Sequence, residues 1–279
     1  MAEPIAAGAA SSPSFDLAVL SDVGTDRPDN EDACGDHVED DGSGAIFVVA
    51  DGIGGYEGGE IASRMAVDIT LEAYHESPRA WGPAKRLHRA VQRANIEIHN
   101  RALTVPELRR MGTTLTAAVV EGGRLSAAHV GDCRLYLVRG GRIVQITKDH
   151  TMVAERVRMG LMSAARARNH PERSVLSRCL GHELIVAVDR IAMPLVQGDH
   201  LLLCSDGLYN VLDERELARM VREGESAAAA CQALIEAANA HGTADNLTAA
   251  VFRMNGATPY AEGGAGWRAR LGRLFGRSA

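Results

Sequence analysis

The chain has 279 residues, 46% of them hydrophobic, 24% charged and only 4% aromatic, with a net charge of −6. That length suffices for one large domain or two small ones with an ordinary core, built here from Val, Leu, Ile, Met and Ala. The acidic balance argues against a nucleic-acid binder held by phosphate neutralisation. The five cysteines, Cys34, Cys133, Cys179, Cys204 and Cys231, are scattered without a C-x-x-C pair, which points to a reducing, cytoplasmic compartment and away from disulfides or zinc.

Residues 1–14, MAEPIAAGAASSPS, lack the basic and apolar regions of a signal peptide and read as a disordered lead-in. No apolar run in the sequence is long enough to span a membrane. Residues 16–23, DLAVLSDV, form a first strand that delivers the chain into GTDRPDNED, a loop dense in acids with one arginine, Arg27. An acid- and glycine-rich linker follows. The apolar run at 46–50, IFVVA, is then a buried strand that breaks at Asp51 into a glycine-dominated segment. An acid leaving a core strand needs a cation or a full set of donors, and neighbouring glycines let backbone carbonyls approach whatever it holds.

From Glu60 the pattern is helical, with Ala62, Met65, Ala66, Ile69 and Ala73 on one face. A second helix runs from Pro83 to about Leu103. Residues 113–147 alternate β-branched runs with Gly-Gly turns and read as an antiparallel meander whose middle reversal carries Gly131 and Asp132. A helix is expected to start at about Asp149, capped by that side chain. Residues 159–181 are of mixed character and read as a surface flap, or a helix and loop, lying across the site. Strands are expected at 185–191 and 200–204, the second ending in Ser205-Asp206-Gly207. Helices then start near Asp213, which has capping-box spacing to Glu216, and near Ser226. Asp245 and Asn246 precede a last strand, LTAAVFRM, and residues 256–279 form a Gly- and Arg-rich tail. The domain therefore occupies 15–255.

Asp51, Asp132, Asp206 and Asp245 each lie at the end of an apolar strand beside Gly or Asn, and Asp32 closes the acidic loop. A single strand-end Asp is usually a turn former. Four, brought together by shared sheets, make an all-oxygen pocket suited to Mg²⁺ or Mn²⁺. So many carboxylates call for more than one divalent ion, and a water shared between two ions is a nucleophile near neutral pH. Arg27 could grip a tetrahedral oxyanion there, or pair with Asp22, Asp26 or Asp29. Together these features suggest hydrolysis of a phosphate ester.

The series G-T-D-R-P-D-N-E-D, V-A-D-G-I-G-G, G-D-C-R-L-Y, S-D-G-L and A-D-N-L-T resembles the motifs of the metal-dependent type 2C serine/threonine protein phosphatases, especially the bacterial ones. The resemblance implies an α+β fold, an αββα sandwich of two antiparallel sheets flanked by helix pairs. It implies that Asp51 bridges two metals and that Gly52 offers its carbonyl to one. Asp206 and Asp245 complete one ion's shell, Glu31 and Asp32 act around the other, partly through water, and Asp132 with Asp206 holds a third, weaker ion. Arg27 matches the phosphate-gripping arginine and Asn246 is a supporting residue. The implied partners are phosphorylated Ser/Thr proteins and a cognate kinase.

Two positions depart from the family pattern. Ile53 stands where many eukaryotic members carry a histidine proposed as general acid, so the leaving alkoxide must take its proton elsewhere. Cys133 replaces a commoner serine. The alternatives are a phosphoprotein-binding regulator without turnover, which should have lost ligands, and a nucleotide binder, whose glycine motifs are missing.

Overall fold

The inner strands of both sheets are apolar on both faces, because each sheet is covered on one side by the other sheet and on the other by helices. The computed structural model describes residues 14–53 and 58–259. The predicted lead-in up to residue 13, four residues of the glycine segment and the tail from residue 260 lie outside them. In chain order, β1 (Phe15–Asp22), β2 (Asp32–Val38) and β3 (Gly44–Ile53) precede α1 (Gly58–Glu76) and α2 (Pro83–Thr104). Next come β4 (Gly112–Thr113), β5 (Leu115–Glu121), β6 (Arg124–Val130), β7 (Arg134–Arg139) and β8 (Arg142–Gln145). Two short helices, α3 (Met152–Arg158) and α4 (Ala164–Arg168), lead to β9 (Asp189–Pro194) and β10 (His200–Cys204). The chain closes with α5 (Asp206–Tyr209), α6 (Glu214–Glu223), α7 (Ala227–Ala240) and β11 (Leu247–Met254).

One sheet has the order β1-β11-β10-β7-β8 and the other β2-β3-β5-β6-β9, with β4 paired to the end of β3. All the pairings are antiparallel. The two-residue period sorts β3 cleanly: Phe47 and Val49 enter the core between the sheets, while Ile46, Val48 and Ala50 pack under α1 and α2. In the same way β10 sends Leu201 and Leu203 inward and Leu202 and Cys204 toward α6 and α7. The result is the expected αββα sandwich.

The structure corrects four expectations of local structure. The stretch read as an acid- and glycine-rich linker contains β2, an edge strand whose polar outer residues hide its alternation. The meander is split: β5 and β6 belong to one sheet and β7 and β8 to the other, so Gly131 and Asp132 form a crossover between sheets. The helix expected at Asp149 begins at Met152 under the cap of Thr151, because the Asp149 carboxylate is taken by Arg134 at 2.7 Å. The strand expected at 185–191 is displaced to Asp189–Pro194, the register that pairs with β6; Leu184 and Ile185 are exposed.

Phe252 is fully buried between the sheets, its ring 5.1 Å from Phe15 and 6.0 Å from Phe47. Phe252→Ala should therefore cost about 3–5 kcal/mol in urea unfolding. A loss below about 1 kcal/mol would contradict its place in the inter-sheet core.

Candidate metal centre

Strand ends from both sheets meet at one edge of the sandwich, and their acids meet there with them. Asp51 lies within β3, directly opposite Asp32 on β2, which puts their Cβ atoms about 5 Å apart. Its backbone is fixed from both sides: Asp51 N donates to Thr114 Oγ1 at 2.9 Å, and its carbonyl accepts from Thr114 N at 2.8 Å and Thr113 Oγ1 at 2.9 Å. Gly52 donates its N–H to the Glu31 carbonyl at 3.1 Å. A Cβ at position 52 would come within 2.6 Å of that same oxygen and run into the Gly59 carbonyl, so only glycine fits.

Asp132 sits on the inter-sheet crossover. Gly131 before it has φ +106°, and a Cβ there would run into Thr114, the residue that clamps Asp51. His150 secures Gly131 twice, donating its N–H to the Gly131 carbonyl at 2.8 Å and accepting from Gly131 N at Nδ1 at 3.1 Å. Asp206 opens α5 and accepts from Asn210 Nδ2 at 3.0 Å. Asn246, just before β11, clamps the acidic loop. Its Nδ2 donates to the carbonyls of Val23 at 2.8 Å and Asp29 at 3.0 Å, and its Oδ1 accepts from Glu31 N at 2.9 Å.

The electrostatics show how close these acids are. Burial, and then Asp32, Asp206, Asp132 and Asp245 in turn, push the Asp51 carboxyl well above its ordinary range. Burial is also the first cause for the others, raising Asp132 to about 8, Asp32 to about 7 and Asp206 to about 6. Asp206 is the chief charged neighbour raising Asp132, and Asp245 the one raising Asp206. Glu31 is raised by burial as well, against the lowering effect of Arg27.

The acids nevertheless do not close on a common point. Among the described residues no group of three or more His, Cys, Asp or Glu side chains is gathered as a ready metal shell. Asp32 turns its Oδ2 to the hydroxyls of Ser205 and Thr248, both at 2.7 Å. Asp245 turns to Arg27 Nη2 at 2.9 Å, so the expected phosphate-gripping arginine pairs with an expected metal ligand rather than with Asp22, Asp26 or Asp29. Arg27 Nε also donates to the Ala244 carbonyl at 3.1 Å. The ligand atoms on offer are all hard carboxylate and carbonyl oxygens, a set that fits Mg²⁺ or Mn²⁺.

Several residues of the site carry no signal in the sequence. Thr114, Ser205 and Thr248 read as ordinary strand and turn residues, yet they hold Asp51 and Asp32. Ser21 Oγ lies 2.8 Å from Thr248 Oγ1 and accepts from Asn30 Nδ2, extending the chain of hydroxyls behind Asp32. Cys133 is buried with its Sγ 3.2 Å from Thr114 Oγ1, and burial keeps the thiol protonated. Ile53 ends β3 opposite Gly112, partly buried. His170 and His182, the histidines of the flap region, are partly buried and exposed respectively.

A family model described as protein phosphatase 2C matches residues 24–251. The serine/threonine phosphatase Stp of Listeria welshimeri is 36% identical over 243 residues, covering 84% of this chain and 94% of that protein. The crystal structure of the Mycobacterium tuberculosis serine/threonine phosphatase PstP/Ppp superposes with a TM-score of 0.78 at 33% identity, covering 86% of this chain and 99% of that one. A structure of the PstP catalytic domain in complex with two manganese ions has a TM-score of 0.76 at 32% identity, covering 86% and 98%.

The raised carboxyls fix the sign of a pH dependence. A carboxyl whose folded pKa exceeds its ordinary 3.8 adds stability that is complete below pH 3.8 and is lost as pH rises through about 6, 7 and 8 for Asp206, Asp32 and Asp132. Protons compete with metal at the low end of that window. The melting-temperature gap between manganese-loaded and chelated protein should therefore widen from below pH 6 to above pH 8. A constant or narrowing gap would contradict the assignment.

Proposed function

The chain belongs to the metal-dependent protein phosphatase 2C family and hydrolyses phosphoserine and phosphothreonine esters in proteins, and from that premise we propose how its own side chains divide the work. Two divalent ions, Mn²⁺ or Mg²⁺, would be held by Asp51 together with the Gly52 carbonyl, with Asp206 and Asp245 as further ligands of one and Glu31 and Asp32 serving the other. Asp132 with Asp206 would take a third, weaker ion. When bound, the ions supply positive charge beside the phosphoryl group and acidify a water for in-line attack. The observation that carries this reading is the placement of Asp51 on β3 directly opposite Asp32 on β2, with Asp206, Asp132 and Asp245 as its further charged neighbours.

The remaining residues position and bind. Arg27 stands at the rim, half-exposed, with a guanidinium that can exchange Asp245 for a phosphate dianion. Asn246 holds the loop from which Arg27 and Glu31 project. Ser205 and Thr248 both hold Asp32 Oδ2, which restricts the rotation of that carboxylate before anything binds. Ile53 cannot shuttle protons, so the leaving alkoxide is protonated by a group other than the side chain at position 53. Every matched acid is present, which favours turnover over a regulator that binds without it.

The substrates are phosphorylated proteins, and we assign the chain to the cytoplasm opposite a Ser/Thr kinase. Five free cysteines, four of them buried, support that assignment. No described helix is long and apolar enough to cross a membrane.

Asp51→Asn should abolish manganese-dependent hydrolysis of a phosphothreonine peptide, by at least about 10³-fold. Retention of more than a tenth of the wild-type kcat would contradict the role of Asp51. Arg27→Ala should raise KM for the peptide roughly tenfold or more, since it removes the phosphate-binding guanidinium, while manganese affinity should not fall, since the same change frees Asp245 from its ion pair. An unchanged KM would remove Arg27 from phosphate binding.

A further inference from the structure

Two acids of the metal centre, Asp132 and Asp206, line a groove of about 1240 Å³, larger than the ~300–1,000 Å³ of a small-molecule pocket. One wall is the flap, an excursion rooted where Met152 N donates to the Val175 carbonyl and Ser177 N to the His150 carbonyl, both at 2.8 Å. The other wall is the turn between α5 and the start of α6.

The charges of the flap are unbalanced toward the groove. Between residues 152 and 176 the only acids are Glu155 and Glu172. Glu172 is paired with Arg156 at 2.8 Å, and Glu155 accepts from Ser177 Oγ at 2.8 Å and lies 3.4 Å from Arg158. Three flap arginines, Arg166, Arg168 and Arg173, are left with no salt bridge among the described residues, and two of them, Arg168 and Arg173, line the groove. Arg215 on the facing wall also makes no salt bridge among the described residues.

The acids lining the groove do not offset these cations. Asp149 is held by Arg134 in a two-pronged contact, and Asp213 is spent capping α6, accepting from Arg215 N at 2.7 Å and Glu216 N at 2.9 Å. Asp132 and Asp206 belong to the metal centre. Glu214 is the one lining acid without such an engagement. Away from the metal centre the groove therefore presents three exposed guanidinium groups against the carboxylates of Glu214 and of Asp213, the latter facing Arg215 and the N-terminus of α6, so that Arg168 and Arg173 on the flap are the cations left without a local acid.

We propose that this groove selects phosphoprotein segments in which the phosphorylated residue is flanked by acidic side chains, with Arg168 and Arg173 of the flap as the specificity-determining cations. The inference rests on the metal-centre reading only for where the phosphate sits. A flexible, acid-rich segment suits an open groove walled by arginines, because each guanidinium can take a carboxylate without ordering a folded surface. The contacts are solvent-exposed, so the selectivity is modest and salt-sensitive.

Two phosphothreonine peptides that differ only in Glu or Gln at the flanking positions test this on the manganese-loaded full chain. Wild type should show a kcat/KM roughly tenfold higher for the Glu peptide at low ionic strength, shrinking with added salt. In R168E/R173E the ratio should fall to one or invert. Fluorescence anisotropy with the same peptides carrying a non-hydrolysable phosphonate in place of the phosphate measures the preference without turnover. Glu-selective binding that R168E/R173E abolishes, with no hydrolysis of either phosphopeptide, would sink the metal-centre reading and leave the groove assignment standing. Equal kcat/KM and equal binding of the two peptides by wild type, or a Glu preference undiminished in R168E/R173E, would overturn the groove assignment.

Discussion

Asp51 stands across the β2–β3 ladder from Asp32, and Asp206, Asp132 and Asp245 all make its ionisation harder. Like charges placed directly opposite each other in a sheet are destabilising, and burial removes the water that would screen them. The chain meets the arrangement with local donors, Asp32 turned to two hydroxyls and Asp245 to Arg27. Those solutions are weaker than a divalent cation, which neutralises several carboxylates at once. Repulsion in the protein alone is thus stored affinity for metal, and metal is what the phosphatase reaction requires.

The fold serves this constraint by bringing strand ends from both sheets to a single edge. β3 delivers Asp51 from one sheet, β10 and β11 deliver Asp206 and Asp245 from the other, and the crossover between β6 and β7 carries Asp132 across the gap. Precision comes from the backbone: Thr114 grips Asp51, Gly131 packs on Thr114, and His150 grips Gly131. Asn246 ties the loop of Arg27 and Glu31 to β11. The three apolar layers keep these elements from moving relative to one another. Above this rigid edge lies the flap, whose short helices bury few residues, and substrate choice is placed in that adaptable part.

Much of this was legible in the residues. The apolar run ending at Asp51, the strand ending at Asp206 and the Asp245-Asn246 pair before LTAAVF all lie where hydrophobic patterning put them, and the α1, α6 and α7 helices follow their apolar periodicity and caps. The sheet assignment of β7 and β8 was not legible, since hairpin signals act over a few residues while the partner of β7 is β10, far along the chain. β2 was hidden because an edge strand needs an apolar pattern on one face only and this one carries Asp, His and Gly on the rest. The partners of the acids escaped for a related reason. Ser205, Thr248 and Thr114 become ligand-holding groups only when strands distant in sequence pair, and Arg27 meets Asp245 across 218 positions.

Diffraction from manganese-soaked crystals of the full chain, collected at the metal's absorption edge, tests the account most directly. It should show two strong anomalous peaks sharing the Asp51 carboxylate, with Asp245 swung from Arg27 into a coordination shell and a weaker peak between Asp132 and Asp206. Strong peaks remote from Asp51, or none at saturating manganese, would contradict the claim that these buried carboxylates exist to be neutralised by divalent ions.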